Sequence, residues 1–178
     1  MMKSALVTGC AGFIASHLTE KLLLNNWNII GLDNFHPYYD KQLKLKNLEK
    51  FKDHKNFKFV QGSILDTDIL KTFSNLNTVF HLAAIAGVRN SFETPDEYFK
   101  INIKGTQNIL KTFQNVDELI FASSSSVYGE VKPNEFPVKE NHLLNPISPY
   151  GESKKQSELL CQDYSEKLKI KRSEEHTS

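Results

Sequence analysis

Short apolar segments alternate with longer segments of helical periodicity along almost the whole chain. The pattern predicts strands at residues 5–7, 28–33, 57–60, 78–82 and 119–123. It predicts helices at residues 12–24, 38–51, 66–73, 95–113 and 149–168. Strands that alternate with helices pack as a parallel sheet covered on both faces. The order therefore predicts an α/β fold with a doubly wound parallel sheet.

Three helices carry finer predictions. Ile14, Leu18 and Leu22 recur every four residues, which predicts an amphipathic first helix. Asp66 or Thr67 is the expected N-cap of the third helix. The apolar stripe expected for the second helix consists of Leu43, Leu45, Leu48 and Phe51.

Composition excludes several classes of protein. The chain has 178 residues, 39% hydrophobic and 24% charged, so we expect one folded domain. Its 22 Lys and Arg against 21 Asp and Glu argue against a nucleic-acid partner. Cys10 and Cys161 form no CxxC pair, so we expect no metal site and a reducing cytoplasm. No apolar run approaches the ~18 residues of a membrane span, so we expect no membrane partner.

A glycine-rich turn follows the first expected strand. Gly9, Gly12 and Ala15 have a GxxGxxA spacing, which lets backbone N–H groups approach a pyrophosphate at the start of the next helix. Asp33 ends the second strand 21 residues past Gly12, near the ~20 typical of the acid that binds the adenosine ribose. A carboxylate there repels a 2′-phosphate, which favours NAD over NADP. The alternative is an ordinary turn residue at Asp33.

A candidate acid/base pair opens the last expected helix. Tyr150 and Lys154 lie four residues apart, so they share one helix face. A lysine ammonium near a phenol lowers its pKa from about 10, so that the phenolate can accept a proton from a sugar hydroxyl. The serine run that includes Ser124 places hydroxyls at the carboxyl end of a parallel strand, where such sheets bind ligands. Taken alone, that run would be an ordinary polar loop.

Six sequence blocks together carry a family resemblance. They are TGCAGFIA, GLDNF, HLAAIAG, INIKGT, SSSSVYG and SPYGESK. In this order they resemble the extended short-chain dehydrogenase/reductase family of nucleotide-sugar epimerases and dehydratases. The resemblance implies a Rossmann-type sheet, NAD as the cofactor, a nucleotide-sugar substrate, a homodimer and a smaller C-terminal substrate domain.

The resemblance also implies which residues bind the cofactor. The set is Gly9, Gly12, Phe13, Ile14, Asp33, Asn34, Ser63, Ile64, Leu82, Ala83, Ala84, Asn102, Tyr150 and Lys154. Ser63 stands where the family usually has an aspartate that contacts adenine, so packing by Ile64 is expected to dominate there. The alternative for Asn102 is a helix residue whose polar atoms are satisfied within the protein.

Catalytic and substrate-binding residues follow from the same resemblance. The implied catalytic residues are Ser124, Tyr150 and Lys154. The implied substrate contacts are Arg89, Ser124, Ser125, Ser126 and Tyr150, with a surface charge as the alternative for Arg89. His81 lies in a strand pattern and is expected to be structural.

Further blocks narrow the expected activity. Family dehydratases place Asp-Glu after the catalytic hydroxyl, whereas this chain has Ser125 and Ser126. The blocks DNFHPYYD and AGVRNS resemble those of UDP-glucuronate 4-epimerases. GESK replaces the AxTK of many uronate epimerases, so other UDP-hexose 4-epimerases remain open. A nucleotide-sugar dehydratase or reductase and a non-catalytic NAD-binding protein are the further alternatives.

The last residues look foreign to the domain. Residues 172–178, RSEEHTS, are polar and aperiodic, and back-translation gives a string that resembles a sequencing-library adapter. We therefore expect a NAD-binding Rossmann-type domain over residues 1–171, an artefactual tail over 172–178 and a missing C-terminal substrate domain. Such a truncated chain is expected to bind NAD weakly and to be inactive as an epimerase.

Overall fold

Six parallel strands form one sheet at the centre of the molecule. The computed structural model describes residues 2–165 and 170–173. The strands are β1 Ser4–Thr8, β2 Asn28–Asp33, β3 Phe57–Gln61, β4 Thr78–His81, β5 Glu118–Ala122 and β6 Ile170–Ser173. Their order across the sheet is β3-β2-β1-β4-β5-β6, and every pairing is parallel. This strand order is that of a Rossmann-type fold, in which strands are added on one side of β1 up to β3 and on its other side from β4 onward. The predicted fold class is therefore confirmed.

Helices connect consecutive strands. The α-helices are α1 Phe13–Leu24, α2 Lys41–Glu49, α3 Thr67–Lys71, α4 Val88–Ser91, α5 Pro95–Tyr98, α6 Gly105–Thr112 and α7 Pro149–Ser165. The helix predicted over 95–113 contains a π-helical stretch, Phe99–Lys104, between α5 and α6. Asp66 caps α3 by accepting hydrogen bonds from the N–H groups of Asp68 and Ile69, which confirms one of the two predicted caps. Residues 166–168 of the last predicted helix lie outside the described residues.

The buried faces of the first two helices coincide only in part with the predicted apolar stripes, of which Leu22, Leu48 and Phe51 are buried. Ile14 is 42% exposed and Leu43 is 55% exposed. The buried face of α1 consists of Ala15, Ser16, Thr19, Leu22 and Leu23. Small side chains allow α1 to approach the sheet closely, whereas the stripe at Ile14 and Leu43 lines a cavity described below. Within α2 the buried residues are Lys44 and Leu48.

Two apolar clusters pack against the sheet. Because side chains alternate along a strand, Leu6 of β1 joins one cluster while Ala5 and Val7 join the other. Ile109 and Leu110 of α6 pack in the Leu6 cluster. Shortening a fully buried leucine such as Leu6 to alanine would lower the free energy of unfolding by about 2–5 kcal/mol.

β6 extends the sheet at its far edge. It pairs with β5, so that Arg172 lies beside Phe121 and Ser173 beside Ala122. Residues 174–178 of the expected tail lie outside the described residues, and its artefactual origin stays a prediction. Within residues 2–165 and 170–173, no helix has the length and apolar character needed to cross a membrane.

Candidate active site

The glycine turn after β1 is shaped by close backbone packing. Gly9 has φ 72°, and a Cβ on it would lie 3.0 Å from the backbone of Ala83. The Gly9 N–H donates to the Leu32 carbonyl oxygen over 2.7 Å, and the Gly12 N–H donates to the Gly9 carbonyl oxygen over 2.8 Å. Both the positive φ and the close approach require glycine at position 9.

The turn delivers the chain to the N-terminus of α1. Gly12 caps this helix without any side-chain hydrogen bond, and its first turn carries no acidic residue. The Tyr39 hydroxyl lies beside this terminus, 3.7 Å from the position that a Cβ on Gly12 would take. A helix N-terminus with donor N–H groups and a positive dipole end suits the negative charge of a pyrophosphate.

Asp33 holds its carboxylate at the end of β2 through three contacts. One carboxylate oxygen accepts from the Phe35 N–H over 2.7 Å, and the other accepts from the Ala11 N–H over 3.2 Å. The Lys44 ammonium lies 3.4 Å from the first of these oxygens. Both side chains of this ion pair are buried, so loss of either partner leaves a buried charge without compensation.

Two adjoining cavities lie along the carboxyl edge of the sheet. The Asp33 cavity, of about 110 Å³, is lined by Gly9, Gly12, Leu32, Asp33, Asn34, His36, Tyr39, Lys44, Gly62, Ser63, Ile64, Leu82, Ala83, Ala84, Ile85 and Ile101. The Tyr150 cavity, of about 430 Å³, is lined by Gly9, Gly12, Phe13, Ile14, Ala15, Tyr39, Leu43, Asn47, Leu82, Ala84, Ala86, Ala122, Ser123, Tyr150 and Lys154. Every residue of the predicted cofactor set except Asn102 lines one or both.

Asn102 lies behind the cavities. It is 2% exposed, and its amide oxygen accepts from the Ile85 N–H over 2.9 Å. Its amide nitrogen donates to the Ile85 carbonyl oxygen over 3.1 Å and to the Ser153 hydroxyl over 2.9 Å. This placement favours the alternative, in which the polar atoms of Asn102 are satisfied within the protein. Asn102 joins the segment after β4 to α7 by these hydrogen bonds.

Ser63 and Ile64, the residues expected to contact adenine, both line the Asp33 cavity. The Ser63 hydroxyl accepts from the Leu65 N–H over 3.1 Å, which commits one of its lone pairs to the local turn. Ile64 is 5% exposed, and any Cβ on Gly105 would overlap its side chain. Ile64 is therefore fixed by packing, and its expected contact with adenine stays a prediction.

Tyr150 and Lys154 lie in the first two turns of α7 and line the same cavity. Burial raises the pKa of Tyr150; a hydrogen bond with the Ser124 side chain opposes that rise and Tyr38 adds to it. The Lys154 ammonium donates to the Ala122 carbonyl oxygen over 2.6 Å and lies 4.1 Å from the centroid of the Phe121 ring. The expectation that Lys154 lowers the pKa of Tyr150 is therefore wrong for this structure, because burial dominates and raises it.

Of the predicted substrate contacts, Tyr150 lines the Tyr150 cavity, whereas Arg89, Ser124, Ser125 and Ser126 do not. The Ser124 hydroxyl accepts from the Ser126 N–H over 3.2 Å and so caps a 3-10 turn, Ser125–Val127. Ser125 is exposed and Ser126 is half-buried. Arg89 is exposed on α4 and lines neither of the two cavities.

His81 is part of a buried polar chain. Thr8 Oγ1 accepts from the Leu82 and Ala83 N–H groups, each over 3.1 Å, so its own proton faces His81 Nδ1 at 2.8 Å. His81 Nε2 then lies 3.0 Å from Thr106 Oγ1. Burial, with a smaller contribution from Lys154, lowers the pKa of His81 to about 3. A neutral imidazole held on both sides fits the predicted structural role.

Comparison with known proteins places this geometry in a family. Residues 6–177 match the family described as GDP-mannose 4,6 dehydratase. The chain belongs to that family of NAD-dependent epimerases and dehydratases. It is 41% identical over 169 residues to an uncharacterized UDP-glucose epimerase of Bacillus subtilis, covering 93% of this chain and 52% of that protein. It is also 41% identical to the UDP-glucuronate 4-epimerase of Thermodesulfobacterium geofontis, covering 89% and 50%.

A solved structure extends the family likeness to the fold. The UDP-glucuronic acid 4-epimerase of Bacillus cereus, solved with UDP-glucuronic acid and NAD, superposes with a TM-score of 0.88 at 38% identity. The match covers 96% of this chain and 55% of that one. The chain thus spans about half the length of the relatives it matches in this family.

Three residues of the site were not predicted from sequence. Lys44 sits in a lysine-rich helix, and nothing in that pattern distinguishes it from a solvated lysine. Tyr39 lines both cavities, and only its position in the YYD block could have pointed to it. Ser123 lines the Tyr150 cavity and its hydroxyl is hydrogen-bonded to Glu158, whereas the sequence analysis chose the serine that follows it.

Proposed function

We propose that this chain is the NAD-binding domain of a nucleotide-sugar 4-epimerase, with UDP-glucuronate as the preferred substrate. The observation that carries the proposal is the shared lining of the Tyr150 cavity. Tyr150 and Lys154 of α7 line the same cavity as Gly9, Gly12 and Phe13 of the phosphate turn. A proton-transferring phenol thus faces the end of the crevice to which a bound dinucleotide would extend.

The residues present fit NAD along the whole crevice. The N-terminus of α1 would hold the pyrophosphate, and the Asp33 carboxylate would accept hydrogen bonds from the adenosine ribose hydroxyls. Ile64 would pack on the adenine, and Lys154 would contact the nicotinamide ribose. The same carboxylate disfavours a 2′-phosphate, since a second negative charge would lie beside a buried one.

The proposed mechanism uses Tyr150 and Ser124 on the sugar 4-hydroxyl. Tyr150 takes the hydroxyl proton while Ser124 hydrogen-bonds the same oxygen, and the proton returns after the 4-keto sugar has turned over in the site. Bound NAD supplies the acceptor and donor of the C4 hydride, so no net oxidation occurs. Because burial raises the pKa of Tyr150, its protonated form prevails at neutral pH. The rate of the oxidative half should therefore rise with pH.

The choice of a uronate rests on the residues after Ser124. Ser125 and Ser126 are positioned by the 3-10 turn at the carboxyl end of β5 and offer hydroxyl donors rather than the acid pair of a dehydratase. These hydroxyls or the Arg89 guanidinium would receive the sugar carboxylate. A UDP-hexose 4-epimerase is the second candidate, supported by the similarity to the Bacillus subtilis protein.

A second copy of the chain is the proposed partner. Apolar and polar side chains of the π-helical stretch, α6 and α7 line a groove of about 420 Å³. Its lining is Phe99, Ile103, Lys104, Gln107, Gln156, Leu159, Leu160 and Asp163. We expect the long helices of two copies to pack there, which light scattering on the purified protein would test.

Epimerisation itself is proposed for a protein that includes a further substrate-binding domain. The test is to read the source DNA past the codon for Lys171 and to express the longer frame. With UDP-glucuronate it should form UDP-galacturonate without consuming added NAD. Release of a keto or deoxy sugar would replace the proposal by a dehydratase, and absence of any turnover would favour a non-catalytic NAD-binding protein.

A further inference from the structure

The loop between β2 and α2, residues 34–40, connects the two cavities. It starts beside the Asp33 carboxylate, which accepts from the Phe35 N–H, and Phe35 has φ 53°, a strained value for a residue other than glycine. It ends at Asp40, which caps α2 by accepting from the Gln42 N–H over 2.8 Å. The loop is therefore fixed at both ends.

Tyr38, in this loop, reaches the segment after β4. Gly87 has φ 99°, and any Cβ there would overlap the Tyr38 hydroxyl. Burial raises the pKa of Tyr98 to about 12, and the nearby Tyr38 side chain adds to that rise. Tyr38 thus occupies the space between Gly87 and the end of α5.

The ring of Tyr98 in turn packs against the ring of Tyr150. It is 1% exposed, and its hydroxyl donates to the Ala86 carbonyl oxygen over 2.8 Å. Its ring packs edge-on against the Tyr150 ring, with centroids 6.1 Å apart and planes at 73°. An aromatic pair of this geometry restricts how the Tyr150 ring can tilt.

A second contact holds the loop to α5 at the neighbouring residue. His36 Nε2 lies 3.2 Å from a carboxylate oxygen of Glu97, the residue before Tyr98. The loop therefore contacts α5 through two adjacent positions, which fixes the direction from which Tyr38 approaches Tyr98.

We propose that Tyr38 is a positioning residue for Tyr150 and acts through the ring of Tyr98. The inference rests on the proposed function, because it presumes that Tyr150 is the acid/base group. It assigns a role to the YYD block: the loop that begins at the ribose-binding carboxylate also sets the orientation of the catalytic phenol. Tyr38 is 38% exposed, so it can fill this role without belonging to the core.

The test follows Tyr150 directly in the 178-residue chain, without NAD. Tyrosine rings are labelled with carbon-13, and the Tyr150 signal is assigned by its loss in Tyr150→Phe. Tyr38→Phe should weaken the nuclear Overhauser contact between the Tyr98 and Tyr150 rings and move the carbon-13 shifts of the Tyr150 ring at neutral pH, because the Tyr98 ring is no longer held in place against it. Tyr98→Phe should move the Tyr150 signal as far as Tyr38→Phe does.

The double variant decides whether Tyr38 acts through Tyr98. If it does, Tyr38→Phe combined with Tyr98→Phe should shift Tyr150 no further than Tyr98→Phe alone. Additive changes in the Tyr150 carbon-13 shifts, or an unchanged Tyr150 ring signal in a Tyr38→Phe chain that melts normally, would overturn the proposal. Tyr164→Phe is the matched control, since it removes a phenol about 21 Å further along α7. NAD binding is titrated separately, and its absence would count against the proposed function alone.

Discussion

The two ends of the crevice are built differently. At the Asp33 cavity the central carboxylate is buried and is held by two backbone N–H groups and by Lys44. Around the Tyr150 cavity the candidate substrate groups are more open: Ser125 and Arg89 are exposed. The cofactor end is thus preorganised by backbone geometry, whereas the substrate end depends on side chains at loops and helix starts.

Among substitutions at the two ends, Tyr150→Phe should have the largest effect. It should lower turnover at the substrate end of the crevice and leave NAD binding at the cofactor end almost unchanged. In a longer protein that turns over a nucleotide sugar, removal of the hydroxyl should lower kcat by about 10²–10⁴-fold, the usual contribution of an acid/base group. NAD affinity of the 178-residue chain should change by less than about twofold. Steady-state kinetics and calorimetric titration measure the two quantities. Substantial turnover by the variant would remove Tyr150 from its role.

Gly9→Ala should damage the cofactor end. The positive φ and the 3.0 Å approach to Ala83 leave no room for a Cβ, so the turn must shift. We expect a loss of about 1–3 kcal/mol in unfolding free energy and about 100-fold weaker NAD binding. Urea unfolding and calorimetry measure them. Gly12→Ala separates backbone strain from crowding, because a Cβ there would also lie 3.0 Å from a backbone atom, the Gly9 oxygen, whereas its φ is −71°. A smaller loss of stability is therefore expected for it.

Asp33→Asn tests the charge at the same end. The substitution keeps the hydrogen bond to the Phe35 N–H but leaves the Lys44 ammonium buried without its counter-charge. We expect about 10-fold weaker NAD binding, a smaller preference for NAD over NADP, and a loss of about 3 kcal/mol in unfolding free energy. A parallel Lys44→Met chain, and the double variant, would show whether the two losses are coupled. Independent, additive losses would contradict the buried pair.

His81, between the two ends, should make the chain sensitive to acid. The imidazole titrates near 6.5 when unfolded, whereas burial lowers its folded pKa to about 3. The unfolded state therefore binds a proton that the folded state excludes, so the free energy of unfolding falls as the pH falls from 6.5 toward 3. When the free energy of unfolding, measured by urea at each pH, is plotted against pH over this range, its slope should be shallower for His81→Gln than for the unchanged chain. An equal slope would mean that His81 is not held neutral.

Ser63→Asp should have the smallest effect and should strengthen the adenine end. A carboxylate can still accept from the Leu65 N–H and offers a second oxygen to the adenine amino group. We expect NAD to bind about threefold more tightly, a gain of less than about 1 kcal/mol. Calorimetry would detect it. Unchanged affinity would show that Ile64 packing alone defines this end.

Sequence patterns predicted the sheet because each strand is a short apolar run bounded by turn residues. Asp33 could be predicted for the same reason, since it ends a strand at a defined distance from Gly12. Lys44 could not be predicted, because it becomes buried only when the folded chain brings α2 against Asp33. The direction in which the Tyr150 pKa shifts could not be predicted from the sequence either. The YxxxK spacing shows that a lysine is near, whereas the burial that raises the pKa comes from packing.

Binding of NAD and NADP to the 178-residue chain tests the central claim most directly. The account holds that the cofactor end is complete within this chain and is selective through the Asp33 carboxylate. Calorimetric titration should therefore show NAD binding, with NADP at least about tenfold weaker, and Asp33→Asn should narrow that ratio. Equal affinity for the two dinucleotides, or no binding of either by a folded chain, would contradict the account.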